Sequence, residues 1–180
     1  MDPLATIFIE KNDYLPKDLN GIALITIFIS DSFYDGNIDF NNFKKYFNIK
    51  TYTTTKNLIY CQWDNKYMKH FPLTEEYVNN DYPLWDDGGI PNNLFEILCE
   101  MEDSNDIDYY EDIAEDFYSQ HKIGGYPSFR QSGYWFNEEY NYVLQISSDE
   151  KANFNIVHNG NFYFYYNSKK NDWKVYCDFY

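Results

Sequence analysis

Residues 22–30 (IALITIFIS) are rich in β-branched side chains and apolar on both parities, a pattern that predicts a central strand. Weak alternation over 6–10 predicts a shorter strand before it. Leu15-Pro16-Lys17-Asp18-Leu19-Asn20-Gly21 lies between them as a turn, with Pro and Asn-Gly supplying the backbone angles. Phe40, Phe43 and Phe47 fall at helical spacing and predict a short helix over 39–47. Further strands are expected at 51–55 and 58–63. Residues 140–147 (YNYVLQIS) and 161–166 (NFYFYY) are strongly β-prone, and His158-Asn159-Gly160 reads as a turn between neighbours. Residues 173–180 (WKVYCDFY) alternate well. A faint echo links 21–30 and the later LIYCQWD to 160–167 and WKVYCDF, which suggests a duplicated β unit.

The pattern changes in the middle of the chain. Asn93-Leu94-Phe95-Glu96 has the Asn-x-x-Glu spacing of a capping box, followed by Leu94, Ile97, Leu98 and Met101 at i, i+3, i+4 and i+7. A second helix is expected over 107–119. At about 100° per residue, Ile107, Tyr110, Ile113, Ala114, Phe117 and Tyr118 share one half of its wheel. Asp108, Glu111, Asp112, Glu115 and Asp116 share the other half, so one face is expected to dock and the other to present five carboxylates.

Charge sharpens this contrast. Residues 71–121 hold 15 of the 29 carboxylates and none of the 14 lysines and arginines, so the remaining 14 acids and 14 bases cancel. The net charge of −15 comes entirely from this stretch. Such a field attracts basic partners and repels nucleic acid and anionic membranes. A face kept only for solubility mixes both signs, since unrelieved repulsion costs stability. The sign bias therefore points to binding. Trp85-Asp86-Asp87-Gly88-Gly89 adds an aromatic beside two acids in an expected exposed turn, an arrangement suited to an interface anchor.

An aromatic content of 22% separates the chain from disordered acidic tails. A length of 180 suits a single domain. The cysteines Cys61, Cys99 and Cys177 are odd in number and widely spaced, as free thiols in a reducing cytosol would be. Cys61 and Cys177 each end a strand-like run, where cysteine acts as a small buried hydrophobe. Met1-Asp2-Pro3-Leu4 lacks the basic and apolar regions of a signal peptide, and no apolar run is long enough to span a bilayer. A cytoplasmic location follows as the expectation.

Catalytic and ligand constellations are weak. His70, His121 and His158 show no metal-ligand spacing, so no metal is expected. The run Asp103-Ser104-Asn105-Asp106-Ile107-Asp108 begins like a calcium loop but lacks its glycine at the sixth position and an oxygen donor at the fifth. Ser128 near His121 comes without a nucleophile elbow. The aromatics lack the basic groove that single-stranded nucleic acid requires. His121-Lys122-Ile123-Gly124-Gly125-Tyr126-Pro127 reads as a helix stop, with bases in the last turn, glycines able to take positive φ, and then proline. It does not match a phosphate loop, in which the glycines lead into a helix.

HKIGGYPSFRQ (121–131), followed by VLQISSD (143–149) and the turn into Asn161-Phe162-Tyr163-Phe164, resembles the YwqG-like family, a bacterial domain of unknown function. Pro3-Leu4-Ala5 through Leu15-Pro16 and Gly21-Ile22-Ala23-Leu24 is similar to the family's N-terminal segment. The chain departs from the family turn Gly-Asp-x-Gly, reading His158-Asn159-Gly160-Asn161 there. The resemblance implies an α+β fold, mainly antiparallel β-sheet with two or three short helices. Such a fold would form one domain over 1–180, with an acidic helical segment at 92–120. It implies no cofactor and no catalytic residues, with Gly124, Gly125, Tyr126, Pro127 and Gln131 as a structural motif. Several relatives look like immunity proteins that bind and block interbacterial toxins. The functional expectation is therefore an immunity protein whose partner is a cognate toxin with a basic surface, such as a nuclease. Trp85, Asp86, Asp87, Asp106, Asp108, Glu111, Asp112, Glu115 and Asp116 are the expected contacts. The alternative is a small-ligand-binding protein or enzyme with a pocket near the GGYP motif.

Overall fold

The computed structural model describes residues 1–63, 65, 67–85, 88–114 and 116–180. Two antiparallel sheets dominate, with few short helices, so the fold is α+β. The first sheet runs in the order β1 (Asp2–Phe8), β2 (Leu24–Ile29), β3 (Phe47–Tyr52). The second runs β4 (Lys122–Ile123), β5 (Asn141–Ser147), β6 (Asn161–Asn167), β7 (Asp172–Asp178). Each is a meander in which strands consecutive in the chain pair with one another.

The inner faces of the two sheets share the principal core. Ile25, Ile27 and Ile29 project from β2, and Phe162 and Phe164 from β6, all fully buried. Phe47 on β3 bridges the layers, with its ring 4.9 Å from Phe162 and 5.5 Å from Phe164. Every residue of β6 is buried. Its period of two sends Phe162 and Phe164 into the principal core and Tyr163 and Tyr165 to the opposite face. That second face is roofed by residues 129–140. Phe129 lies 4.6 Å from the ring of Tyr163, Phe136 lies 5.0 Å from that of Tyr165, and the Tyr165 hydroxyl donates to the Tyr134 carbonyl at 3.0 Å.

Several expectations from pattern alone fail, each for a local reason. Residues 58–63 form no strand, and Ile59 is 90% exposed, because β3 at Phe47–Tyr52 takes the edge of β2. Strand formation requires a partner as well as propensity. Cys61 is accordingly exposed, Cys177 is buried, and all three thiols are free. The internal echo stops at β2, since its Cys61-bearing half is not a strand. In place of a helix over 39–47 there is a 3-10 turn, Phe43–Tyr46, and Phe47 already belongs to β3. The Tyr46 hydroxyl accepts the Asp39 N–H at 2.8 Å and fixes that turn.

Helix α1 (Asn92–Asp103) starts one residue before the expected capping box. Pro91 occupies the N-cap, and its carbonyl accepts the N–H groups of Leu94 and Phe95, both at 2.9 Å. Asn93 thus lies inside the first turn and caps nothing. The second expected helix, over 107–119, is reduced to one π-helical turn, Tyr109–Ile113. Asp108 Oδ1 accepts the N–H groups of Tyr110 and Glu111 at 3.0 Å, and Asp112 Oδ2 accepts that of Asp108 at 2.7 Å. Short acidic side chains that bond the backbone in this way compete with helix continuation, and no base is present to relieve like charges on successive turns.

Replacing Phe162 by alanine removes a ring that touches Phe33, Phe47, Phe154 and Phe164. We expect a loss of about 3–5 kcal/mol in urea unfolding. Ile59→Ala, at an exposed site, is expected to stay within about 0.5 kcal/mol of wild type.

Candidate functional site

Residues 71–121 lie beside the second sheet as an acidic lobe with a small core of its own. Ile90, Tyr109 and Ala114 are buried there, with Trp85, Phe95 and Leu98 packed against them. Trp85 is therefore not an exposed anchor. Its ring lies 5.2 Å from Phe95 and 4.9 Å from Tyr109, and its backbone N–H donates to the Tyr110 hydroxyl at 3.0 Å. Tyr109 ties the lobe together: its N–H donates to Glu102 Oε1 at 2.7 Å and its hydroxyl to the Pro83 carbonyl at 2.8 Å. Burial pushes the pKa of that hydroxyl up to about 12.

The carboxylates expected on one helical face are distributed differently. Asp106, Asp108, Glu111, Asp112 and Asp116 are all exposed. Asp106, Asp108 and Asp112 line an open hollow of about 440 Å³ together with Glu102 and Asn105. Asp116 lines a second hollow, of about 240 Å³, with Glu76 and Tyr118. Tyr110 and Phe117, expected on a docked face, are instead 43% and 48% exposed, with their rings 6.2 Å apart. Asp86, Asp87 and Glu115 lie outside the described residues. The lobe thus exposes aromatic and acidic groups side by side, although no continuous helix presents them.

The GGYP segment is where the lobe joins the sheet. The described residues 116–121 that lead into it are not helical, and Lys122-Ile123 form β4, which pairs with Gln145 and Leu144. The glycines turn the chain out of a strand rather than out of a helix. Gly124 (φ +77°) and Gly125 (φ +65°) both take the left-handed conformation. At Gly125 there is no room for a side chain, because a Cβ would collide with the Asp81 carboxylate. Asp81 Oδ2 accepts the Tyr126 N–H at 2.8 Å and the Lys122 ammonium at 2.9 Å. Burial lowers the Lys122 pKa, and the charge and hydrogen bond of Asp81 oppose that shift. One member of the acidic stretch therefore anchors the lobe rather than facing a partner.

Beyond the glycines the chain becomes a buried polar network that pattern reading did not find. Gln145 on β5, 1% exposed, accepts the Ser128 N–H at 2.8 Å. Its amide donates to the carbonyls of Ser119 and Gln120 at 3.1 and 3.0 Å. The Ser128 hydroxyl bonds the Tyr118 carbonyl, not His121, so no catalytic triad forms. His121 instead accepts the Ser147 N–H at 3.1 Å through Nδ1 and faces Asp149 at 3.3 Å through Nε2. The Tyr163 hydroxyl lies 2.7 Å from the Ser128 carbonyl and 2.8 Å from Asp178 Oδ1, and accepts from Asn161 Nδ2 at 2.9 Å. Asp178 Oδ2 accepts the Arg130 N–H at 2.8 Å, and the Gln131 side chain bonds the Phe179 carbonyl. The local clue was Gln145 itself, an amide between Leu144 and Ile146 in a run that is otherwise apolar.

Gly124, Pro127 and Ser128 are buried, and the polar groups of the motif face their own fold. These contacts make the segment a junction between the lobe and the sheet. Near it, Asp81 Oδ1 and the Tyr142 hydroxyl are buried without a protein hydrogen bond. Burial, reinforced by the Asp81 charge, raises the Tyr142 pKa. Among the described residues, no three histidine, cysteine or carboxylate side chains are grouped to hold a metal ion. No described helix is long and apolar enough to cross a membrane.

Two predictions arise from this network. Gln145→Leu strands the Ser128 N–H and removes the amide donor to the Gln120 carbonyl, while the Ser119 carbonyl keeps the Ser147 hydroxyl at 2.8 Å, and we expect a loss of about 2 kcal/mol by urea denaturation. Asp178 is raised above its ordinary carboxyl value of 3.8 by burial, against opposing hydrogen bonds from Tyr163, Arg130 and Gln131. A carboxyl with a raised folded pKa stabilises fully below its unfolded pKa and loses that contribution as pH rises through the folded value. Wild type should therefore lose stability relative to Asp178→Asn as pH rises from below 3.8 through that raised value. Denaturation at a series of pH values checks this, and a gap independent of pH would contradict the burial of an acid there.

A family model described as a domain of unknown function (DUF1963) matches residues 15–175, and the chain belongs to that family. No curated protein matches it.

Proposed function

We propose that this DUF1963 protein is a cytoplasmic immunity protein that neutralises a cognate interbacterial toxin by binding it through the acidic lobe. The observation that carries the reading is the lobe's single sign. Residues 71–121 contain no lysine or arginine, and Asp106, Glu111 and Asp116 stand exposed there beside half-exposed Tyr110 and Phe117. Aromatic groups among acids suit a basic protein surface, where carboxylates occupy positions that the toxin uses for phosphates. A nuclease is the toxin chemistry that fits best, because its substrate site is basic. The resemblance to the YwqG-like family, some of whose relatives are toxin immunity proteins, supports the same reading. The hydrogen bonds that Lys122, Tyr126 and Ser128 make within the fold support binding by the lobe over small-molecule chemistry at that motif.

Co-expression with a neighbouring gene whose product is toxic tests the role. Wild type is expected to restore growth, and failure to do so would remove the immunity reading. Glu111→Lys combined with Asp116→Lys touches two exposed carboxylates that accept no hydrogen bond among the described residues. We expect the double variant to associate at least about tenfold more slowly at low salt. The difference should shrink as ionic strength rises, as stopped-flow binding would show.

A further inference from the structure

Helix α1 is the lobe's longest regular element, and none of its residues is buried. At about 100° per residue its side chains divide into three arcs, each about 60° wide. Phe95, Leu98 and Glu102 face the lobe core, where Phe95 and Leu98 pack and Glu102 accepts the Tyr109 N–H. Glu96, Glu100 and Asp103 form an acidic arc. Between them runs a third arc of Leu94, Ile97 and Met101, exposed by 48%, 53% and 37%. Three large apolar side chains on adjacent turns thus lie uncovered along one line.

The end of this seam is electrostatically distinctive. The carbonyl end of a helix is negative and is ordinarily relieved by bases in the last turn. Helix α1 has no base there; Glu100, Glu102 and Asp103 occupy that turn instead. The hollow lined by Glu102, Asp106, Asp108 and Asp112 opens immediately beyond it. Negative side chains, the helix dipole and the hollow all add in the same direction at the Met101 end.

From this we propose that α1 is a docking helix for a basic amphipathic helix of the partner protein. The partner's apolar side chains cover Leu94, Ile97 and Met101, its flanking lysines or arginines meet Glu96, Glu100 and Asp103, and one further cation enters the hollow beyond Met101. Charge complementarity selects this occupant. A second copy of this chain laid on the same seam would set the acidic arc against itself with no base between. Nucleic acid and anionic lipid are repelled by the same charges. The proposal rests on the reading of the lobe as a partner-binding surface and names the element that makes the contact.

A synthetic two-heptad peptide, with leucine on one seam and lysine elsewhere, serves as the probe. Fluorescence anisotropy is read against the folded full chain at about 0.15 M salt. A scrambled peptide of the same composition and a glutamate-for-lysine analogue are measured alongside. We expect the amphipathic basic peptide to bind at least about tenfold tighter than the scrambled one, and the acidic analogue not to bind. Leu94→Ser/Ile97→Ser/Met101→Ser should weaken the peptide by at least about tenfold while leaving the melting temperature unchanged, since all three positions are exposed. Asp106→Asn should weaken it less and flatten its salt dependence. Equal binding of the scrambled peptide, or undiminished binding by the triple-serine variant, would overturn the proposal. So would sedimentation showing self-association that the triple-serine variant abolishes. The toxin reading fails separately. If the triple-serine variant still rescues growth, α1 is not the docking element while the immunity role stands. If wild type fails to rescue while the peptide result holds, the surface is correct and the biological role is not.

Discussion

The double burial of β6 is the constraint on which the rest of the structure depends. A strand covered on both faces shields its side-chain polar groups from water, so they are driven to partners inside the protein, Asn161 Oδ1 being an exception. The phenylalanines of β6 meet this condition by having none. Tyr163 and Tyr165 meet it only because residues 128–134 lie over them and supply the carbonyls of Ser128 and Tyr134. Asp178 then reaches across from the neighbouring strand to hold the start of that cover at Arg130. The cover, the sheet and the buried acid therefore form as one unit.

From that unit the geometry of the lobe follows. For Ser128 to lie over β6, the chain must leave β4 and turn sharply, which Gly124 and Gly125 permit through their positive φ angles. The same turn exposes the Tyr126 N–H to Asp81, whose carboxylate also holds Lys122. Gln145 fixes the preceding stretch by accepting from Ser128 and donating to Ser119 and Gln120. The acidic lobe is thus tied to the sheet near residue 81 and near residues 118–128. Two ties of this kind orient its outer surface, so an interface there would be held on a rigid base rather than on a free loop.

Legibility in the sequence followed the range of the interactions involved. Strands β2, β5, β6 and β7 were readable because each carries its own burial pattern, and burial of a strand is a local statement about alternate residues. Residues 58–63 carry an equally strong pattern and form no strand, because pairing is decided by β3 elsewhere in the chain. The two glycines were readable as a turn, yet the reason for the turn was not: Asp81 lies 41 residues from Lys122 and looks in sequence like any other member of an acidic run. The same limit applies to the lobe. Its sign could be counted from composition, whereas the shape of its surface depends on Asp108 and Asp112 turning their carboxylates to backbone N–H groups. Local competition of that kind shortens a helix that periodicity alone would extend.

Separation of charge from the main core also shapes the lobe's energetics. Among the described residues, its own core buries Ile90, Tyr109 and Ala114, a small apolar reserve against the mutual repulsion of its carboxylates. Several of those carboxylates offset part of this cost by accepting hydrogen bonds: Glu102 from Tyr109, Asp108 from Tyr110 and Glu111, and Asp112 from Asp108. Others, including Glu111 and Asp116, make no such contact among the described residues and stand exposed at the surface. A basic partner would relieve that repulsion at the moment of binding, so part of its affinity would come from strain removed within the lobe rather than from new contacts alone. The negative end of α1 and the carboxylate hollow beside it are where such relief is concentrated. A basic helix docked on the apolar seam of Leu94, Ile97 and Met101 would thereby take a defined orientation, with its cationic end drawn to Met101.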